Sequence, residues 1–510
     1  MAIWIAAVAV RLIFVNQPYV DHWSWRQSDV AGIARNFYES GFHFVRPQID
    51  WAGDATGYVG TEFPILPFLA AISYKFAGVH EWIGRSQAVI FFAVSLPFFF
   101  LVVRKTFGST AAVWATFFFS FAPLNLFAGR SFMPDVPSLS LSIVGLYFFL
   151  RWIRDRGWMA FFVAATMISL SLLIKITSIV VAAPLLYIVV RRLCQTPDVL
   201  QNGAAGTRAT STGGSLERVS GSERVKRPTV YRGLVLFGAI AILPSFAWYW
   251  YAHQIAQNFY PHHFFGAGGI RIENLSWYWH IARQTATSSL TPVLAILALV
   301  GLFLASRSKR SFLFHWWLAA MILFILVAGY GNRHRWYQLP LVPIVAAFAG
   351  AACAFWAAKI SSRRVGIILS FLLVSSFVIP SYLYVEPFYE LSAAQLRDAG
   401  LELNKITAPG ALIIAADTGD PTIFYYAHRK GWHFLERDAI YGGNPGDSQA
   451  AIDDLENLRR RGATHLVFTT NTLWWLASYP QFAQHLAHNA MLMDMTPAFR
   501  IYKLNSATIP

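Results

Sequence analysis

The sequence predicts an all-α polytopic membrane domain of about 11 transmembrane helices, followed by a small C-terminal α/β domain. Three observations predict it. Of 510 residues, 56% are hydrophobic and only 13% charged, against about 25% charged in ordinary soluble domains. Apolar runs approaching the roughly 20 residues of a helical span recur through residues 1–384. Residues 385–510 then turn mixed, with 13 acids and 10 bases. This balance excludes a soluble enzyme, a disordered chain and a disulfide scaffold. The only cysteines, Cys194 and Cys353, fall at a membrane face and inside a span, so no disulfide is expected.

The candidate spans are 1–15, 86–103, 109–128, 136–150, 158–173, 176–190, 233–251, 287–305, 312–330, 339–357 and 365–384. One alternate set of loops holds 19 basic residues against four acids; the opposite set holds 11 and nine. The positive-inside rule makes the first set cytoplasmic, which places the N-terminus inside and the loop 16–85 and residues 385–510 outside. The net charge of +15 is then a topology bias, and no nucleic-acid partner is expected. Residues 193–232, rich in Gly, Ser, Thr and Arg, read as a disordered cytoplasmic linker. The apolar segment Pro64–Val79, with two prolines and Lys75, reads as an interfacial helix. In the tail, residues 411–417 and 464–470 read as buried strands and 448–462 as an amphipathic helix ending in Gly462. The turn Asp417-Thr418-Gly419-Asp420 after the first strand reads as an ordinary polar strand-to-helix turn, and the tail as an accessory domain. Gly266–Ile270 lacks the strand context of a phosphate loop and reads as a plain loop.

Ionisable groups beside spans default to functional candidates, and here they gather at the outer ends. Asp21 and Asp29 follow the first span in a Trp-containing polar run. Glu62 precedes Pro64, and Asp135 lies between two prolines after Arg130. Lys175 sits in a short turn between apolar spans, and Arg333, His334, Arg335 and Tyr337 open the tenth. A proton-coupled transporter would place carboxylates near the midplane instead. No HExxH, CxxC or EF-hand loop occurs. No metal is required, though carboxylates and His334 on one side leave a divalent ion open.

These residues make the chain resemble the GT-C-fold polytopic glycosyltransferases, in particular the protein O-mannosyltransferase and aminoarabinose-transferase group (glycosyltransferase family 39-like). The resemblance spans roughly residues 1–350. It rests on the run Ala31–Gly41, on Glu62-Phe63-Pro64 (with Phe63 where the family often has Lys), on Pro134-Asp135, on Ile174-Lys175-Ile176-Thr177 and on the stretch from His334 to Pro343. Arg26 stands where the family's catalytic Asp is usual. The resemblance implies a polyprenyl-phosphate-linked sugar donor and a lipid, glycan or protein acceptor on the extracytoplasmic side of a bacterial inner membrane. It also implies Asp29 as base with Asp21 as alternate, Glu62 and Asp135 positioning hydroxyls or the base, and Lys175, Arg130, Arg333, Arg335, His334 and Tyr337 as phosphate-binding groups. Inversion at the anomeric carbon is expected. The rival readings are a transporter or flippase for the same lipid-linked sugar, and a non-catalytic assembly or receptor protein acting through the tail.

Overall fold

The computed structural model describes residues 1–194, 227–265, 269–305, 312–437 and 440–505. Most of the linker expected at 193–232, most of the Gly266–Ile270 loop, and Arg307, Lys309 and Arg310 lie outside the described residues.

The chain opens with α1 (Ala2–Leu12), α2 (Ser24–Ser40) and α3 (Ile65–Ala77). α2 stops at Gly41, whose φ of 96° lets its N–H cap the helix on Phe37 O. The helices α4 (Glu81–Phe107), α5 (Ser109–Phe121), α6 (Pro123–Ala128), α7 (Asp135–Asp155), α8 (Trp158–Ile174), α9 (Ala182–Cys194) and α10 (Arg227–Asn258) follow. Then come α11 (Leu275–Gln284), α12 (Pro292–Leu304), α13 (Phe312–Ala328), α14 (Leu341–Ala357) and α15 (Arg363–Val385).

Each of the eleven apolar segments overlaps one of these helices or two consecutive helical pieces, as 109–128 does with α5 and α6. Among the described residues six stretches are long and apolar enough to cross a membrane unaided, and a seventh results if the pair Leu275–Ser289 and Pro292–Leu304, bent by 108°, is one span. α1, α5, α8 and α14 fall short of that length. Local chemistry sets these ends: Pro123 disfavours helix at Ala122, where α5 stops in extended backbone. α14 lies between α5 and α12, and two glycines bring the backbones together. A Cβ at Gly301 would meet Phe348 O at 1.9 Å, and one at Gly350 would meet Ala111 O at 2.3 Å. Small residues permit such close approach where apolar burial alone cannot drive helix association.

The tail continues with α16 (Ala394–Ile406), β1 (Leu412–Ala416), α17 (Thr422–Ala427), β2 (Gly431–His433), β3 (Glu436–Arg437), β4 (Ile440–Tyr441) and α18 (Ser448–Arg460). It ends with β5 (Ala463–Thr469), α19 (Trp475–Ser478), α20 (Pro480–Asn489), β6 (Ala490–Met495) and β7 (Phe499–Leu504). The main sheet runs β2-β1-β5-β7-β6, parallel across its first three strands and antiparallel beyond. Period-two alternation sends Ile414, Ala416, Leu466 and Phe468 into one core, with Leu455, Trp475 and Phe482. Ile413, Ala415 and Val467 enter another, shared with Val30, Ile33, Phe37 and Trp51 of the first long loop. One face of the sheet is thus covered partly by α2.

Backbone bonds reinforce this union. Gly53 N–H donates to Gly431 O at 2.7 Å and Gly431 N–H to Asp50 O at 2.9 Å, so the loop extends the sheet beyond β2. Gly53 has φ +60°, and a Cβ there would lie 1.8 Å from the Trp432 ring. Tyr19 N–H donates to Tyr426 Oη at 2.8 Å, and the Arg35 guanidinium donates to Tyr425 O.

Candidate active site

At the end of the bundle where α7 begins and α8 stops, two cations and two carboxylates interlock. Arg26 on α2 donates one nitrogen to both Glu62 oxygens, at 2.8 and 2.9 Å. Lys175 Nζ lies 3.5 Å from Glu62 Oε1 and 3.4 Å from Asp135 Oδ1. The backbone explains the placement. Phe63 N–H donates to Leu173 O at 3.0 Å, which ties the Glu62 segment to the end of α8. Lys175 occupies the extended break between α8 and a 3-10 turn, and Asp135 is the first residue of α7. Burial raises the Glu62 carboxyl, but Arg26 and Lys175 outweigh it and bring it down to about 2. Asp135 Oδ2 is buried with no hydrogen-bond partner. Such an atom costs about 1–3 kcal/mol unless something satisfies it, so it suits a ligand hydroxyl.

Asp29, one helical turn from Arg26, accepts a hydrogen bond from Trp51 Nε1 at 3.1 Å. Burial drives its carboxyl up; Arg26, the Trp51 bond and His433 oppose this, and the result is about 6. A buried carboxyl near neutrality is suited to take a proton. The groups around it come from the tail: Ser24 Oγ donates to Asp420 Oδ2 at 2.6 Å, and Ser28 and Thr422 share a hydrogen bond of 2.9 Å.

Asp21 and Arg130 are spent on each other. The Asp21 carboxylate receives Gln27 at 2.6 Å, Arg85 at 2.7 Å and Arg130 at 3.0 Å, and it is fully buried. Arg130 also donates to Phe14 O at 3.0 Å. This geometry is a staple between α2, α4 and the turn before α7; it leaves Asp21 no free oxygen for a base and Arg130 no free fork for phosphate.

The segment from Gly329 to Gln338 forms two 3-10 turns. Arg333 lies over the Tyr330 ring at 3.9 Å and Arg335 over Phe388 at 4.7 Å. No carboxylate among the described residues lies within salt-bridge distance of either. His334 stacks on Trp336 at 4.5 Å. Burial, then Arg333, Lys175 and Arg26, hold it down to about 4, so it is neutral at neutral pH. The Tyr337 ring centroid is 5.2 Å from Lys175 Nζ. Gln338 Oε1 accepts from Thr285 at 2.9 Å and Ser289 at 2.8 Å. Thr285 lines an apolar cavity of about 440 Å³ between α11, α12, α13 and α14, with Leu290, Leu326 and Leu341 in its wall.

Of the residues singled out in the sequence, Asp29, Glu62, Asp135, Lys175, Arg333, His334, Arg335 and Tyr337 gather at this end. Sequence reasoning missed the Arg26–Glu62 bond, Trp51 and His433, and it singled out Asp417 and Asp420 only as parts of a polar turn. Residues 417–420 do form a polar strand-to-helix turn, with Gly419 N–H on Asp417 and Thr422 N–H on Asp420, and Asp420 also accepts a hydrogen bond from Ser24 of α2. The position of Asp417 and Asp420 after a strand was the available signal; His433 had none. Among the described residues no group of three or more His, Cys, Asp and Glu is arranged to hold a metal ion.

Residues 61–201 match the model of the dolichyl-phosphate-mannose-protein mannosyltransferase family. The chain has the GT-C fold of membrane glycosyltransferases. Over 99% of its length it is similar to ArnT from Cupriavidus metallidurans, solved bound to undecaprenyl phosphate, with 15% identity, 98% of that chain covered and a TM-score of 0.65. Over its whole length it is also similar to the Archaeoglobus fulgidus oligosaccharyltransferase AglB, solved with an inhibitory peptide and a dolichol-phosphate. Identity there is 13%, 74% of that chain is covered and the TM-score is 0.55. No curated protein matches the sequence.

Proposed function

We propose that this chain transfers a sugar from a polyprenyl-phosphate-linked donor to an acceptor hydroxyl at the extracytoplasmic face of a bacterial inner membrane, with inversion. All eleven apolar segments then serve as spans, and the C-terminal domain lies outside the cytoplasm. The observation that carries this reading is the meeting, at one end of the bundle, of Asp29 near neutrality, the unpartnered Asp135 oxygen and the uncompensated cations Arg333 and Arg335. The ArnT and AglB structures, solved with undecaprenyl phosphate and a dolichol-phosphate, support the donor class.

Asp29 accepts the proton of the acceptor hydroxyl as its oxygen bonds to the anomeric carbon. The bond from that carbon to the phosphate oxygen breaks, and the lipid phosphate leaves with the electron pair. A single displacement inverts configuration. Glu62, locked to Arg26, stays ionised and fixes Arg26 and Lys175, while Asp135 takes a hydroxyl of donor or acceptor. Lys175, Arg333 and Arg335 stabilise the charge growing on the phosphate; His334 and Tyr337 offer neutral hydrogen bonds. The cavity beside Thr285 seats the first part of the prenyl chain.

Lys175→Ala lowers turnover by about 10²-fold with the donor still bound. The assay is acceptor-dependent release of lipid phosphate beside equilibrium donor binding. A transporter would move the donor and release no lipid phosphate when acceptor is added, and that result overturns the reading. Arg333→Ala alone raises the donor KM by about 10–100-fold, since a hydrogen bond to a charged group contributes about 1.5–3 kcal/mol. The pH profile follows from the ionisation of the base. Transfer falls as pH drops through about 6, where Asp29 takes up a proton, and is level above it. His334, held at about 4, adds no step near neutrality.

A further inference from the structure

His433 ends β2, and its Nδ1 lies 2.8 and 2.9 Å from the two oxygens of Asp417, the residue that follows β1. Parallel pairing sets Ala415 opposite His433, so both side chains stand at the carboxyl ends of adjacent strands, where open α/β sheets form their crevices. Trp51 fills the space between this pair and Asp29. Its ring centroid is 5.3 Å from that of His433, and its indole N–H is the donor to Asp29. With Nδ1 committed to Asp417, Nε2 has no hydrogen-bond partner among the described residues. The charged groups facing the imidazole are Asp417 and Asp420 from the tail and Asp29 from α2, with Arg26 behind Asp29. Phe424 packs edge-on at 5.3 Å. The imidazole is 5% exposed, and three carboxylates around it favour its charged form over the neutral one that burial alone would select.

We propose that His433, anchored by Asp417 and packed on the Trp51 ring whose N–H binds Asp29, is a positioning residue of the transfer site that favours the carboxylate form of Asp29, so the C-terminal domain supplies part of the catalytic centre. The proposal deepens the reading of Asp29 as base and rests on it. His433 neither gains nor loses a proton in the step, because the acceptor's proton ends on Asp29. The pair is more than a staple between loop and tail, because a staple would not set the ionisation of a third group.

The test is an infrared pH titration of the full-length protein in detergent, reading the carboxylic C=O band that disappears in Asp29→Asn. This needs no substrate. The wild-type midpoint is expected near 6. In His433→Gln, loss of the nearby positive charge moves it up by about one pH unit, and the acid limb of the transfer rate moves with it. If His433→Gln does not fold by thermal melting, Asp417→Asn carries the same expectation, since the imidazole then loses the anion that keeps it charged. An unmoved midpoint in either folded variant overturns the proposal while leaving Asp29 as base. Wild-type transfer by Asp29→Asn sinks the base, and the positioning role with it.

Discussion

Asp29→Asn loses transfer by about 10²–10⁴-fold, the usual worth of a general base, and still folds. The amide has the size of the carboxylate, and its oxygen still accepts the Trp51 N–H seen at 3.1 Å. Arg26 keeps its two bonds to Glu62, so no cation is left bare. The loss therefore falls on turnover, with donor binding and thermal midpoint close to wild type. Acceptor-dependent release of lipid phosphate, measured beside a melting curve in the same detergent, separates these effects. Full activity in a folded Asp29→Asn protein removes the base assignment.

Asp21→Asn acts on stability, by about 3–5 kcal/mol. The Asp21 carboxylate holds Arg85 at 2.7 Å and Arg130 at 3.0 Å, and all three side chains are fully buried or nearly so. Neutralising Asp21 leaves two guanidinium groups facing each other out of water, which costs far more than the lost bonds. The readout is the thermal midpoint and the folded yield of the purified variant. An unchanged midpoint rules out the staple. The two aspartates are only eight positions apart, yet the expected failures differ in kind, because one carboxylate is saturated by donors and the other has one.

The sequence carried the helices well. Each apolar run named as a span falls on helical backbone, though four of the helices are shorter than a full span, and the strands at 412–416 and 463–469 and the helix at 448–460 fall where periodicity places them. It carried the span lengths less well, because apolar periodicity continues across a break such as Ala122-Pro123 and across the bend between Ser289 and Pro292. The pairing of the site was the least legible part. Asp21 and Asp29 look alike in sequence, and only their partners, Arg85 and Arg130 for one and Trp51 for the other, tell them apart. Those partners come from separate helices and loops, and His433 lies about 400 residues beyond Asp29. Periodicity reports the face of one element and says nothing of which elements meet.

The seam between α2 and the tail also limits how the chain can be divided. A fragment ending at 384 would strip α2 of its cover over Val30, Ile33 and Phe37 and leave Tyr19 N–H and the Arg35 guanidinium without Tyr426 and Tyr425. α2 and the polar residues around it therefore stay without their partners until α17 and the strands packed on them have been made, long after the helices α4 to α15.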